Sequence, residues 1–238
     1  MKRTTVVPIL LFLLFASISV VIGNSKAYAG ESNATSTGQV QLLWTNSMWV
    51  YDVAVSKDGN CIATVNDTGL HYFSSNSSNP QWWYTPAEQT FASIRLSYDG
   101  EYVVAGDRTG HIVYFNSSTS RTGEQTSPTW SSLSMGGAVE RNTLDTSDDG
   151  NYVILGGTGV NFYYFSNCTV RSGASEHSTW SGYLGIWDFY AVRISPDGTC
   201  VAAGGSRYNG GFLAFYKNAN TEPYPTAPAW YANNSIGG

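Results

Sequence analysis

The sequence predicts an all-β protein in which one four-stranded unit occurs four times. The motif S-x-D-G begins at Ser56, Ser97, Ser147 and Ser195, at intervals of 41, 50 and 48 residues. Only 12% of the residues are charged and 14% are aromatic, a composition that favours strands and turns over helices. Repeats of about 40–50 residues built from short strands are typical of β-propeller blades. We therefore expect a β-propeller of four-stranded antiparallel blades.

The elements follow the same order in each repeat. A strand with alternating apolar residues, such as Ile94 and Leu96, precedes S-x-D-G, where Asp and Gly predict a tight turn. An unbroken apolar run follows and indicates a strand buried on both faces between neighbouring blades. A third strand ending in two aromatic residues and a fourth strand closing on a tryptophan complete the unit. The closing tryptophans are Trp83, Trp130, Trp180 and Trp230.

These elements divide residues 40–238 into four blades and one additional strand. The blades cover about residues 48–86, 87–136, 137–185 and 186–234. Trp44, in QLLWTN, resembles the closing strand of a blade and predicts an orphan strand at the N-terminal end of the repeats. Residues 236–238 match residues 135–137, which lead into the third blade. We expect the repeats to be part of a larger propeller, and the alternative is a compact four-blade ring with a spare edge strand.

The first residues have the pattern of a targeting segment. Lys2 and Arg3 precede an apolar run at residues 6–23, which an A-x-A cleavage pattern follows. A secretory signal peptide is therefore expected over residues 1–29, with a polar tether over residues 30–39. An uncleaved membrane anchor is the alternative, because the run approaches spanning length. Either way the repeats are expected outside the cell, secreted or at the cell surface, with no membrane span in the mature chain.

Two stretches carry a resemblance to known propeller families. Residues 105–116, AGDRTGHIVYFN, resemble the turn and third strand of a WD-repeat blade, and residues 194–205, ISPDGTCVAAGG, resemble the first two strands of many prokaryotic propellers. The repeats are thus similar to the WD-repeat and quinoprotein-like families. Their third strands end in Tyr-Phe rather than Trp-Asp, so the hydrogen-bonded tetrad of WD repeats is not carried over. The resemblance implies a rigid disc whose loop faces bind a partner, and it implies no particular chemistry.

The charge and the reactive side chains argue against several functions. The net charge is −5, and the mature chain has no Lys/Arg cluster, so nucleic acid is not expected as a partner. His71, His111 and His177 share no motif with a nucleophile, so we do not expect hydrolytic catalysis. Cys61 and Cys200 hold the same position in two repeats, which disfavours a disulfide between them.

Aromatic residues in the loops that enter the first strands form the candidate ligand site. These residues, with one neighbouring carboxylate, are Trp49, Tyr51, Trp187, Asp188 and Tyr190. An aromatic cluster at the mouth of a propeller is suited to a glycan or a protein partner. The alternative is that the rings pack between blades.

The segment DTSDDG resembles a calcium-binding loop. Asp145, Ser147 and Asp149 would supply hard oxygen ligands to one ion. No bidentate Glu stands at the twelfth position, where Gly156 lies, and the alternative is an ordinary Asp-Gly turn. No other cofactor is expected.

Three N-glycosylation sequons follow the third strands of successive blades. They begin at Asn76, Asn116 and Asn167, and would place glycans on one face of the disc. The alternative is that these loops are simply solvated.

These observations favour a non-enzymatic extracellular binding or scaffold module for a protein or a glycan. The alternative is an extracellular quinoprotein-like or lyase-type enzyme with its site in the central channel, and a passive surface spacer is a third reading. A cluster of titratable residues on the innermost strands would support the enzyme. Those strands offer Asp52, Arg95, Asp145, Asp188 and Arg193.

Overall fold

A computed structural model describes residues 41–140, 142–158, 161–183, 188–207, 210–221 and 228–235. Apart from one short 3₁₀ turn at Cys168–Val170, the described secondary structure is entirely β, which confirms the all-β prediction. The expected signal peptide (1–29), the tether (30–39) and the final residues (236–238) lie outside the described residues. Within the part described, no helix is long and apolar enough to cross a bilayer.

The described residues of the four repeats form eighteen strands. The first repeat contains β1 (Asp52–Val55), β2 (Cys61–Asn66), β3 (Gly69–Ser74) and β4 (Trp82–Tyr84). The second contains β5 (Phe91–Leu96), β6 (Val103–Asp107), β7 (Ile112–Phe115), β8 (Gly123–Gln125) and β9 (Trp130–Ser132). The third contains β10 (Leu144–Thr146), β11 (Val153–Leu155), β12 (Asn161–Phe165), β13 (Gly173–Glu176) and β14 (Trp180–Tyr183). The fourth contains β15 (Asp188–Ile194), β16 (Val201–Arg207), β17 (Gly210–Tyr216) and β18 (Trp230–Ser235).

The four repeats form four sheets, numbered sheet 1 to sheet 4 in chain order, and sheets 1 and 2 have five strands each where four antiparallel strands were predicted. The strand orders are β1-β2-β3-β4-β8, β5-β6-β7-β9-β13, β10-β11-β12-β14 and β15-β16-β17-β18. The fifth strands, β8 and β13, come from the following repeat and pair in parallel with β4 and β9. The loop before each of these donated strands therefore ties one sheet to the sheet before it.

The donated strands are held by one arginine in each loop. The Nε of Arg121 donates to the carbonyl of Asn116 at 2.7 Å, and the Nε of Arg171 donates to the carbonyl of Ser166 at 2.8 Å. Each guanidinium also lies over an aromatic ring, Phe115 for Arg121 and, among others, Phe165 for Arg171. Because the two loops use the same bonds, they are built alike despite their different sequences.

The S-x-D-G motif forms the predicted turn in all four repeats. Its glycines, Gly59, Gly100, Gly150 and Gly198, have φ values of 76°, 73°, 69° and 74°, a region that glycine adopts without strain. In the fourth turn the hydroxyl of Ser195 donates to Asp197 at 2.6 Å, and the amide of Thr199 donates at 3.1 Å. These bonds lower the pKa of Asp197 to about 2.

We expect Ser195→Ala to raise the pKa of Asp197 towards its ordinary value, because the hydroxyl of Ser195 is the largest cause of the lowering. The wild-type turn keeps the benefit of this ionised carboxylate at neutral pH and loses it as the pH falls towards about 2. NMR titration of the carboxyl carbon measures the pKa, with Ser206→Ala as a control remote from the turn. An unchanged pKa would show that the serine hydroxyl does not stabilise the charge.

Neighbouring sheets are joined by buried aromatic side chains with polar ends. The indole Nε1 atoms of Trp82, Trp130 and Trp180 donate to backbone carbonyls of the next sheet's loop at 2.9, 2.9 and 3.0 Å. The hydroxyls of Tyr72, Tyr114 and Tyr164 donate to the carbonyl of the S-x-D-G glycine in the next sheet at 3.0, 2.7 and 2.9 Å. Each of these six rings thus has its polar atom satisfied, and the three junctions repeat the same two bonds.

The closing tryptophan of the first repeat is Trp82 and not the predicted Trp83. Trp82 lies opposite Tyr72 in the ladder and is fully buried, whereas Trp83 lies opposite His71 and is half-buried. Successive strand residues point to opposite faces, so only one of two adjacent tryptophans faces the next sheet.

The predicted orphan strand is not formed. Residues 41–50 make no ladder pairing, but Trp44 lies against sheet 1. Its Nε1 donates to the carbonyl of Ser75 at 2.8 Å, and its ring stacks on Phe73 with centroids 5.9 Å apart. The side-chain amide of Asn46 also donates to the carbonyl of Ser78 at 2.8 Å. The segment is therefore held by side-chain contacts in place of the backbone ladder that defines a strand.

Candidate functional site

The first strands of the four sheets, β1, β5, β10 and β15, meet around one cavity of about 380 Å³. This volume is in the range of small-ligand sites, about 300–1,000 Å³. Six charged side chains line the cavity, three of each sign. They are Asp52, Lys57, Arg95, Asp145, Asp148 and Arg193. The cavity is thus a polar site to which every repeat contributes.

Arg95 is the centre of the charged cluster. Its Nη1 donates to the carboxylate of Asp52 on sheet 1 at 2.9 Å, and its Nε lies 4.0 Å from the carboxylate of Asp145 on sheet 3. Asp52 also accepts the hydroxyl of Ser93 at 3.0 Å and the amide of Ile94 at 3.1 Å. These bonds fix Arg95 and Asp52 in one geometry and link three sheets at the cavity wall.

Asp145 has an unusual electrostatic environment. Burial raises the pKa of its carboxyl group, and this effect outweighs the opposing effects of the Ile194 amide, Arg193 and Arg95. The Ile194 amide donates to the carboxylate at 3.0 Å. Asp145 therefore takes up a proton more readily than an ordinary aspartate.

The remaining charges lie nearer the solvent. Lys57 on the turn of sheet 1 forms an ion pair with Asp148 on the turn of sheet 3. Arg193 is exposed, and its guanidinium donates to the carbonyl of Val192 at 2.6 Å and to the carbonyl of Asn142 at 3.3 Å. Because these are neutral acceptors, Arg193 keeps its positive charge available for a ligand.

The sequence placed Asp52, Arg95, Asp145 and Arg193 on innermost strands, and the structure brings these four together. Lys57 and Asp148 were missed. The signal that would have found them is their position, since both are the variable second residue of S-x-D-G, at the end of a first strand.

The predicted aromatic cluster divides between the first and last sheets. Trp49, 76% exposed, and Tyr51 precede β1, and the Tyr51 ring lies 5.6 Å below the guanidinium of Arg108. Asp188 and Tyr190 belong to β15 of sheet 4, where Ser206 donates to the Tyr190 hydroxyl at 3.0 Å. Trp187 lies outside the described residues. The residues therefore form two separate groups, neither of which lines the cavity.

The calcium hypothesis gains no support from the geometry. Asp145 faces the cavity, whereas the hydroxyl of Ser147 donates to Asp149 at 2.6 Å within an ordinary turn. Over the described ranges, no three His, Cys, Asp or Glu side chains gather as metal ligands would. The same Ser–Asp bond occurs in the other three repeats, so it is a feature of the turn.

The three predicted sequons differ in accessibility. Asn76 and Asn167 are exposed, just after β3 and β12. Asn116, just after β7, is half-buried, and its side-chain oxygen accepts bonds from Arg121 at 3.1 Å and Thr129 at 2.9 Å. Asn76 and Asn167 are therefore the better acceptors, and glycosylation stays a prediction.

Comparisons with known proteins identify an arrangement of strands and no family. No protein-family model and no curated protein matches the chain. Among 1291 matching chains of solved structures is hydrazine synthase from Kuenenia stuttgartiensis, with a TM-score of 0.58 and 12% identity. The match covers 87% of this chain and 53% of that chain, so this chain spans about half of its length. At this identity the similarity shows a shared fold alone, and function must be argued from the site.

Proposed function

We propose that the chain is a non-enzymatic binding module of the β-propeller type, exported to the cell surface or the medium, that holds a glycan unit in the central cavity. The single observation that carries this proposal is the cavity of about 380 Å³ where the first strands of all four sheets converge. Four similar sheets joined in sequence by the same contacts support the propeller, and the N-terminal targeting pattern supports export.

The chemistry of the cavity is suited to the recognition of a polar ligand. Arg95 and Asp52 are bound to each other and to the backbone, so they present fixed donors and acceptors. Sugar hydroxyls both donate and accept hydrogen bonds, and they suit a wall that carries three carboxylates and three cations. Preorganised polar groups of this kind lose little conformational freedom when a ligand binds, which favours specific recognition.

A glycan array followed by calorimetry on the purified protein tests this function. For a glycan that binds on the array, Arg193→Gln is expected to weaken binding by about tenfold or more, because it removes a charge-assisted hydrogen bond worth about 1.5–3 kcal/mol. Lys217→Gln is the matched control, since Lys217 is exposed and lies outside the cavity. Equal affinity of both variants, or no glycan bound on the whole array, would rule out glycan binding in the cavity.

An extracellular lyase-type enzyme is the second candidate, and the raised pKa of Asp145 favours it. A buried acid with a perturbed pKa in a cleft is a common feature of catalytic sites. Mass spectrometry of the same glycans after incubation distinguishes the two functions. Products that wild type forms and Asp145→Asn does not would establish the enzyme, whereas binding without products would favour the binding module.

A further inference from the structure

One face of sheet 1 is exposed, although the equivalent face of each other sheet is buried against the sheet before it. In sheets 2, 3 and 4 the apolar residue three positions before the S-x-D-G serine is fully buried against the preceding sheet. These residues are Ile94, Leu144 and Val192, each 0% exposed. Their counterpart in sheet 1, Val53, is 54% exposed, and Val55 beside it is 58% exposed. At each internal junction the closing tryptophan of one sheet packs on the sheet that follows. We call the face that accepts this tryptophan the receiving half of the junction, and sheet 1 presents such a face uncovered.

The last sheet has the opposite face open. The closing tryptophans of the first three sheets are at most 2% exposed because the next sheet covers them, whereas Trp230 is 49% exposed. Leu213 is 43% exposed, while its counterparts Leu70, Ile112 and Phe162 are fully buried. We call the face that carries the closing tryptophan the delivering half of the junction, and sheet 4 presents such a face uncovered.

Trp44 occupies the receiving half at its outer end. At the internal junctions an incoming indole donates to a loop carbonyl at 2.9–3.0 Å and lies 5.0–6.0 Å from a third-strand ring. Trp44 makes both contacts on sheet 1, at 2.8 Å to Ser75 and 5.9 Å to Phe73. A tryptophan delivered by another sheet therefore cannot enter while Trp44 is in place.

We propose that the open faces of sheet 4 and sheet 1 are the two halves of one head-to-tail interface between copies of this chain, and that the segment 41–50 blocks it through Trp44. The partner is a second copy, because one chain carries both halves of a junction that it already forms three times internally. A contact between two different faces is heterologous, so it leads to rings or open chains of copies unless one face is capped.

The residues of sheet 4 also explain why Trp44 is expected to hold the receiving half against sheet 4 of a second copy. Phe215 stands where Tyr72, Tyr114 and Tyr164 donate to the next sheet, so that bond is lost. Pro196 has no amide hydrogen, whereas the amides of Tyr98 and Asp148 at the same motif position donate to the next sheet at 2.8 and 2.9 Å. The contact between copies is therefore weaker than the internal junctions. Trp44 competes with the advantage of a covalent tether.

Light scattering after size-exclusion chromatography over a range of concentrations tests the proposal. Wild type is expected to be monomeric, and Trp44→Ala is expected to self-associate as concentration rises. Trp49→Ala is the matched control, because Trp49 lies in the same segment but is 76% exposed, and it should stay monomeric. If Trp44→Ala fails to fold by circular dichroism, Trp44→Leu, which keeps apolar cover on Phe73 but loses the indole N–H, takes its place.

The direction of the contact is tested in the Trp44→Ala background. Val53→Asp disables the receiving face and Leu213→Asp disables the delivering face, so each double variant alone should be monomeric. Mixed in equal amounts they should form a dimer through the one interface that remains intact. The proposal is overturned if folded Trp44→Ala stays monomeric at all concentrations, if wild type associates equally well, or if the mixture yields no dimer.

Discussion

Trp130→Ala is expected to lower the free energy of unfolding by about 4 kcal/mol, in line with the loss of a buried tryptophan from a core. Trp130 is fully buried between sheets 2 and 3, with its ring centroid 5.0 Å from that of Tyr114 and 5.7 Å from that of Phe165. Its removal also leaves the buried carbonyl of Cys168 without the indole N–H that lies 2.9 Å away. Both losses act at one junction.

Trp230→Ala is the matched control for this effect. Trp230 has the same place in its repeat and stacks on Phe215 at 5.7 Å, but it is 49% exposed. Half the burial leaves about 2 kcal/mol to lose, since the stabilisation follows the apolar area removed from water. Urea unfolding followed by circular dichroism compares the two variants. Equal losses would show that the junctions do not supply the stability assigned to them.

The fold was predictable where local chemistry decides it. Each S-x-D-G motif contains the residues that its turn requires, so the turns could be placed without knowing their neighbours. The second strands, such as β6, are unbroken apolar runs because both faces are covered, and that pattern is also visible in the sequence.

Other features depend on contacts between distant segments. Trp82 and Trp83 are equivalent in composition, and only the register with β3 decides which is buried. The segment around Trp44 has strand-like residues, yet a strand also needs a partner, and here side-chain bonds take its place. The donated strands β8 and β13 contain three and four residues with no apolar pattern, so nothing local marks them.

The sequence shows which strands carry the charged residues of the cavity, but it does not show that these residues lie close together. The apolar pattern placed Arg95 and Asp145 on first strands, and only the packing of the sheets brings those strands together. The pairing of Lys57 with Asp148 joins residues 91 positions apart, and only the packing of the sheets brings them together. The predicted aromatic cluster forms two groups because its residues belong to two sheets. Trp49 and Tyr51 precede the first strand of sheet 1, whereas Tyr190 lies on the first strand of sheet 4.

Arg95→Ala is expected to lower the free energy of unfolding by about 2–3 kcal/mol. Arg95 is 17% exposed and Asp52 is 18% exposed, so the pair is largely desolvated and its loss leaves a carboxylate without its cation. Breaking a fully buried pair costs about 3–5 kcal/mol, and the residual exposure here reduces that figure. Arg193→Ala is the control, because Arg193 is exposed and donates to neutral acceptors, and it should cost about 0.5 kcal/mol.

The pH dependence of the Arg95→Ala variant separates charge from packing. Arg95 opposes the rise in the pKa of Asp145, so its removal raises that pKa further. A carboxyl group whose pKa is higher in the folded than in the unfolded state gains stability as the pH falls towards the unfolded value. Urea unfolding at several pH values should therefore show a deficit that shrinks as the pH falls from neutral towards about 4. A deficit that stays constant with pH would mean that Arg95 acts through its aliphatic stem and not through the two carboxylates that it joins.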